Sequence, residues 1–273
     1  MKYLNTLLIT TTAIAFAPAS HAVTLPYNND FSGGAGDFSP NGTGSWSVIS
    51  SGGFEPSGTP VQNVYQSVLD DGSGGNTTGL AGSLVTVPEL GGGTNQDFQF
   101  SSSFHIEDRG GSGASRNYEF GILALADASA QDGYLLSFDA FGPTNGNAKI
   151  YSISSGISTL ESTSTGTLGV QQGDGDVYNF VVSGSYDGSG DLTLDLSVEF
   201  LDAGVSQGSI LTSLNDISGP EAGTYFGLGS LATDAKGTVQ SSEVSLVAIP
   251  EVSASGLLMG VGILICCIAR RRR

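Results

Sequence analysis

Apolar and polar residues alternate along much of this chain with a period of two. In 98–106, Phe98, Phe100, Phe104 and Ile106 fall on one face, and Gln99, Ser101, Ser103 and His105 on the other. In 191–200, Leu192, Leu194, Leu196 and Val198 point one way. Asp191, Thr193, Asp195, Ser197 and Glu199 point the other. Such stretches predict half-buried antiparallel strands, one face on a core and one in water. A slip of one residue in either would bury charge, so the pattern also fixes register. Residues 120–126 are apolar almost throughout, which predicts an inner strand. No stretch keeps helical periodicity for three turns.

With Gly, Asn, Asp and Ser clusters taken as turns, strands are predicted at 45–50, 61–69, 84–87, 98–106, 118–126, 133–141 and 148–154. They continue at 159–164, 177–185, 192–200, 209–214, 224–229 and 239–247. Short strands at this spacing predict a β-sandwich. Composition agrees. The chain has 41 Gly and only 13% charged residues, unlike a helical protein, and 39% apolar residues supply a core. A body of this size buries roughly 70% of its unfolded surface, so the Gly/Ser content does not imply disorder.

Charge divides the chain into three. The formal charge is −17, but five of the nine basic residues are Lys2, Arg270, Arg271, Arg272 and Arg273. The middle keeps four basic residues (Arg109, Arg116, Lys149 and Lys236) against 25 acidic ones, a charge of −21. That balance excludes a nucleic-acid binder, which needs clustered Lys and Arg, and docking on an anionic membrane surface.

Both ends look like addresses. Met1-Lys2-Tyr3 precedes an apolar stretch, and Ser20-His21-Ala22 places small residues at −3 and −1 of a signal-peptidase site between Ala22 and Val23. The alternative, a buried first helix, would be broken at Pro18. At the other end, Ile249-Pro250-Glu251-Val252 leads into sixteen uncharged residues, 254–269, and then Arg270, Arg271, Arg272 and Arg273. Sixteen helical residues reach ~24 Å against a ~30 Å hydrocarbon core, a gap that snorkelling Arg can narrow. The basic stop would hold the end in the cytoplasm, so a plain tail anchor is one reading.

The layout also resembles the PEP-CTERM sorting signal of exported bacterial proteins, in which a Pro-Glu-Pro motif, an apolar span and an Arg cluster follow in order. That resemblance implies an exosortase-type membrane peptidase as partner and a transient membrane association. Val252 departs from it where the family has a second Pro. Both cysteines, Cys266 and Cys267, lie in the apolar span, so the body forms no disulfide.

The body's rhythm resembles the concanavalin A-like (laminin G-like) jelly rolls. The residues that carry it are Phe120-Gly121-Ile122-Leu123-Ala124, a polar turn at 127–131, Gly133-Tyr134-Leu135-Leu136-Ser137-Phe138-Asp139, and Ala148-Lys149-Ile150-Tyr151. Val177-Tyr178-Asn179-Phe180-Val181-Val182 and Tyr225-Phe226-Gly227-Leu228 continue it. The expected organisation is a signal peptide at 1–22, an all-β concanavalin A-like jelly-roll sandwich at 23–248, and a sorting signal with a short apolar helix at 249–273.

Catalytic chemistry finds little to stand on. Glucanases of this fold carry Glu-x-Asp-x-x-Glu on one strand, with carboxyls ~5–5.5 Å apart. The nearest acidic strand here spaces Asp191, Asp195 and Glu199 by four, which sets neighbours ~13 Å apart. The body has one imidazole, His105, and no thiol, so neither a Ser-His-Asp site nor zinc is expected. On the polar face of its strand, His105 is expected to be exposed or to face a ligand. Gly91-Gly92-Gly93 lacks the Lys of a phosphate loop. Structural Ca²⁺ is the one cofactor to consider. Its candidate ligands are Asp174 and Asp176, and Asp187 and Asp191, on Asp/Gly turns whose own geometry also explains them. The candidate ligand-binding loop holds Asp108, Arg109, Arg116, Asn117 and Tyr118.

These readings give an exported, non-catalytic protein of the outer envelope, cell surface or extracellular matrix that binds or organises extracellular polysaccharide. The rivals are an adhesive coat protein without sugar specificity and a glycoside hydrolase with an unrecognised site.

Overall fold

The computed structural model describes residues 22–42, 44–50, 63–70, 75–91, 93–110, 117–140, 145–170 and 176–249. In chain order the strands are β1 (Tyr27–Asn29), β2 (Ser39–Gly42), β3 (Ser45–Ile49), β4 (Val64–Leu69), β5 (Thr77–Thr86), β6 (Phe98–Gly110), β7 (Asn117–Ala126) and β8 (Gly133–Asp139). They continue as β9 (Asn145–Gly146), β10 (Ala148–Ser154), β11 (Ile157–Thr163), β12 (Leu168–Gly169), β13 (Asp176–Tyr186), β14 (Leu192–Asp202), β15 (Val205–Ile217) and β16 (Tyr225–Ala248). The helical content of the described residues is one 3-10 turn, Pro88–Leu90. No helix among them is long and apolar enough to cross a membrane. The expected C-terminal helix lies outside the described residues.

The strands form an all-β jelly-roll sandwich. The front sheet runs β2-β5-β16-β7-β8-β10-β11, and the back sheet runs β4-β16-β6-β13-β14-β15, with β3 on β4 and β1 on β16. All these pairings are antiparallel. β16 belongs to both sheets. Its first part lies between β5 and β7, and its second part between β4 and β6.

Period-two alternation builds the core as expected. Phe98, Phe100, Phe104 and Ile106 are buried from β6, and Leu192, Leu194, Leu196, Val198 and Phe200 from β14. Their alternates along β14 stay half-buried. Aromatic rings stitch the sheets together. Phe120 of β7 meets Phe104, Phe180 and Tyr178 of the back sheet, with centroids 5.3, 5.5 and 5.9 Å apart, and Phe138 of β8 meets Tyr178 at 5.1 Å. Such contacts combine a large apolar burial with edge and tilted ring electrostatics. The described side chains of β7 are buried on both of its faces, because the outer one carries a second apolar cluster with Leu84, Leu123, Leu135, Tyr151 and Ile153.

Three expectations about strands need correction. The predicted strands 224–229 and 239–247 are one strand, because the Thr233–Gly237 stretch that reads as a turn is the bend carrying β16 between sheets. The bend shows as a register shift between Ala232 and Ala235. The strand predicted at 84–87 extends back to Thr77, with Gly82 at a point of close packing rather than in a loop. A Cβ on Gly82 would come within 2.9 Å of Leu123 Cδ1. The short strands β1, β2, β9 and β12 were not anticipated.

Candidate functional site

The outer face of the back sheet is polar, as its alternation dictates, and it is grooved. Three cross-strand pairs set one row across four strands: Glu243 of β16 opposite Ser103 of β6, Ser103 opposite Asn179 of β13, and Asn179 opposite Glu199 of β14. The next row places Ser245, Ser101 and Val181 side by side. Together these residues line a groove of about 370 Å³, within the range of small-ligand sites. The Ser103 hydroxyl donates to Asn179 Oδ1 at 2.8 Å. That bond fixes the amide and leaves the two Nδ2–H donors of Asn179 for the groove. Ser101 and Ser245 add hydroxyls and Glu199 and Glu243 add carboxylates, so the lining both donates and accepts.

The outer face of the front sheet differs. Glu119 of β7 is wholly buried. Its Oε1 accepts from Lys149 Nζ at 2.9 Å and from the Tyr151 hydroxyl at 2.6 Å, and its Oε2 accepts from the Ser137 hydroxyl at 2.5 Å. Lys149 also reaches Asp139 at 2.9 Å. Burial pulls the Lys149 amine down, but Glu119 and Asp139 more than offset it and hold it above its ordinary value. Beside this network, Leu80, Leu135, Ile153, Ile157 and Leu231 line an apolar groove of about 290 Å³. With both oxygens of Glu119 accepting and one ammonium shared between two carboxylates, the network is a built part of the sheet rather than an open reactive centre.

The single described imidazole is not exposed, contrary to expectation. His105 is 5% exposed, and its Nδ1 lies 2.9 Å from the Asp176 carbonyl oxygen. Its Nε2 lies 3.5 Å from Glu107. Although it sits on the polar face of β6, the start of β13 covers it.

The candidate loop is only partly described. Asp108 and Arg109 occupy the end of β6, where their backbones pair with Thr238 and Gly237. Asn117 opens β7 opposite Thr233, and Tyr118 is buried in the core. Arg116 lies outside the described residues. Of the candidate calcium ligands, Asp187 closes the β13–β14 turn, its Oδ1 accepting from the amides of Ser189 and Asp191 at 2.7 and 3.0 Å. Asp176 begins β13 and is buried, and Asp174 lies outside the described residues. Among the described residues no three of His, Cys, Asp and Glu gather in a way that could hold a metal ion. At the proposed cleavage junction, Ala22 bridges to Thr86 and the Val23 amide donates to the Thr86 carbonyl at 2.9 Å. The motif residues Pro250 and Glu251 and the four terminal arginines lie outside the described residues.

No family model matches the chain, and no curated protein does. Solved structures similar to it include the PL-14 alginate lyase of Aplysia kurodai, at 8% identity and TM-score 0.44, covering 75% of this chain and 87% of that one. The CBM2 module of the evolved Dit protein of Lactobacillus casei BL23 phage J-1 is 14% identical with TM-score 0.41, covering 81% and 93%. A protein of unknown function with a galectin-like fold from Bacillus subtilis is 11% identical with TM-score 0.38, covering 82% and 96%. At this distance no residue's role passes from any of them to this chain.

Proposed function

We propose that the chain is an exported, non-catalytic protein of the cell envelope or extracellular matrix whose sandwich binds or organises polysaccharide. The observation that carries the reading is the back-sheet groove, where Ser103 orients the Asn179 amide between hydroxyls and carboxylates. Each hydroxyl of a polyol both donates and accepts, which complements such a lining. Export and sorting rest on the chain ends, with the exosortase-type peptidase as processing partner.

The test is retention of the secreted protein on a panel of immobilised polysaccharides, with and without Ca²⁺ because of the acidic turns. Retention that falls at least about tenfold in Asn179→Ala is the expected result. A folded protein retained by nothing on the panel overturns the reading. Release of reducing ends from the same panel would instead revive the hydrolase. Mass spectrometry of the mature C-terminus tests the sorting step, and envelope chains still carrying Arg270 to Arg273 would overturn it.

One observation favours the coat-protein alternative. Four of the five large apolar side chains exposed among the described residues, Ile157, Leu160, Val205 and Leu211, lie on the outermost strands β11 and β15. Self-association without glycan retention would select that reading.

A further inference from the structure

The groove's charge pattern says more than that it suits a polyol. Glu243 and Glu199 stand at opposite ends of one row, three strand spacings or about 14 Å apart, with the neutral Ser103 and Asn179 between them. Among the described residues neither carboxylate has a cationic partner and no Lys or Arg lines the groove. Lys149 is committed to Glu119 and Asp139 on the other sheet.

A ligand laid across the strands along this row covers both carboxylates. A neutral sugar would give each carboxylate a hydroxyl hydrogen bond but leave its charge unmatched, and a uronate would add like-charge repulsion within a strongly acidic body. An ammonium group returns a charge-assisted hydrogen bond at each end. Asn179, its carbonyl already occupied by Ser103, offers N–H donors to a hydroxyl or ether oxygen between them.

We infer that the groove selects an amine-bearing polysaccharide, a polymer with free amino sugars, over neutral and uronate-bearing ones. This rests on the polysaccharide reading and narrows it to one chemical class.

The test uses the secreted protein and three soluble probes of matched length: a glucosamine oligomer, its fully N-acetylated counterpart and a uronate oligomer, with affinities from calorimetry at fixed ionic strength. Tightest binding of the glucosamine oligomer, by at least about tenfold over the acetylated probe, is expected. The Glu199→Gln/Glu243→Gln variant should lose that preference. Glu89→Gln/Glu221→Gln, which removes the same charge away from the groove, should keep it, and circular dichroism verifies that both variants fold. Equal or tighter binding of the acetylated or uronate probe overturns the inference and leaves the polysaccharide reading standing. Equal loss in the two variants also overturns it, since the attraction then belongs to net charge rather than to the groove. Binding of none of the probes, with no retention on the wider panel, sinks the polysaccharide reading itself.

Discussion

Glu119 of β7 and Lys149 of β10 meet at 2.9 Å across the intervening strand β8. Glu119 is fully buried and Lys149 half-buried, and Asp139 shares the ammonium. A pair of this kind contributes little when intact, because two charges have lost their water. Breaking it from one side is expensive. Lys149→Ala is expected to cost about 3–5 kcal/mol in urea unfolding. Combining Lys149→Met with Glu119→Gln, which removes the two charges of the pair and keeps its bulk while the partly exposed Asp139 stays hydrated, should recover most of that loss. A double variant as unstable as Lys149→Ala would show that packing, not charge, is what the pair supplies.

A second carboxylate gives a pH signature. Burial first, and the facing Asp202 second, push the Asp176 carboxyl above its ordinary 3.8, with His105 partly opposing. Between 3.8 and the raised value the native state keeps a proton that the unfolded chain has lost. Stability from this group is therefore full below 3.8 and declines as pH rises through that window. Asp176→Asn should be more stable than the parent at neutral pH, with the difference vanishing below pH 3.8. A difference that persists in acid would count against the assignment.

Glycines in the strands make a steric prediction. Gly184 pairs with Phe98, and a Cβ there would come within 2.2 Å of the Phe98 ring. Gly184→Ala should cost about 1–3 kcal/mol and lower Tm by several degrees, while Phe98→Leu in the same chain should return part of it. Gly33, whose added Cβ would meet nothing within 4 Å, is the matched control and should tolerate Ala.

The aromatic stitch between the sheets is the fourth target. Phe120 is wholly buried among Phe104, Phe138, Tyr178 and Phe180. Phe120→Ala should cost about 3–5 kcal/mol through lost burial and the cavity it leaves, read as a lower urea midpoint at unchanged slope.

Much of the fold was legible because a strand's period is local. Phe98 to Ile106, Leu192 to Phe200 and the all-apolar 120–126 declare their faces without reference to any partner. What was not legible depends on strands far apart in sequence. The bend at 233–237 has the residues of a turn, and only the neighbours it contacts make it a passage between sheets. His105 has the pattern of an exposed residue, and its cover comes from Asp176, 71 positions away. The groove was hidden for a related reason. Ser101, Ser103, Asn179 and Glu199 each read as solvated strand positions, and only register sets them in one row. Glu119 and Lys149 were equally silent, since nothing near either in sequence announces a buried ion pair.

β16 has a consequence for how the molecule can come into being. The 24 residues Tyr225–Ala248 form the strand that lies inside both sheets, bonded to β1, β4, β5, β6 and β7. A chain emerging N-terminus first can form hairpins such as β7–β8 or β13–β14 from neighbouring segments. It cannot join β5 to β7, or β4 to β6, until Tyr225–Ala248 is free to slot between them. Assembly is thus timed by the final stretch of the body, and until that stretch arrives the earlier strands hold the open edges of two unfinished sheets.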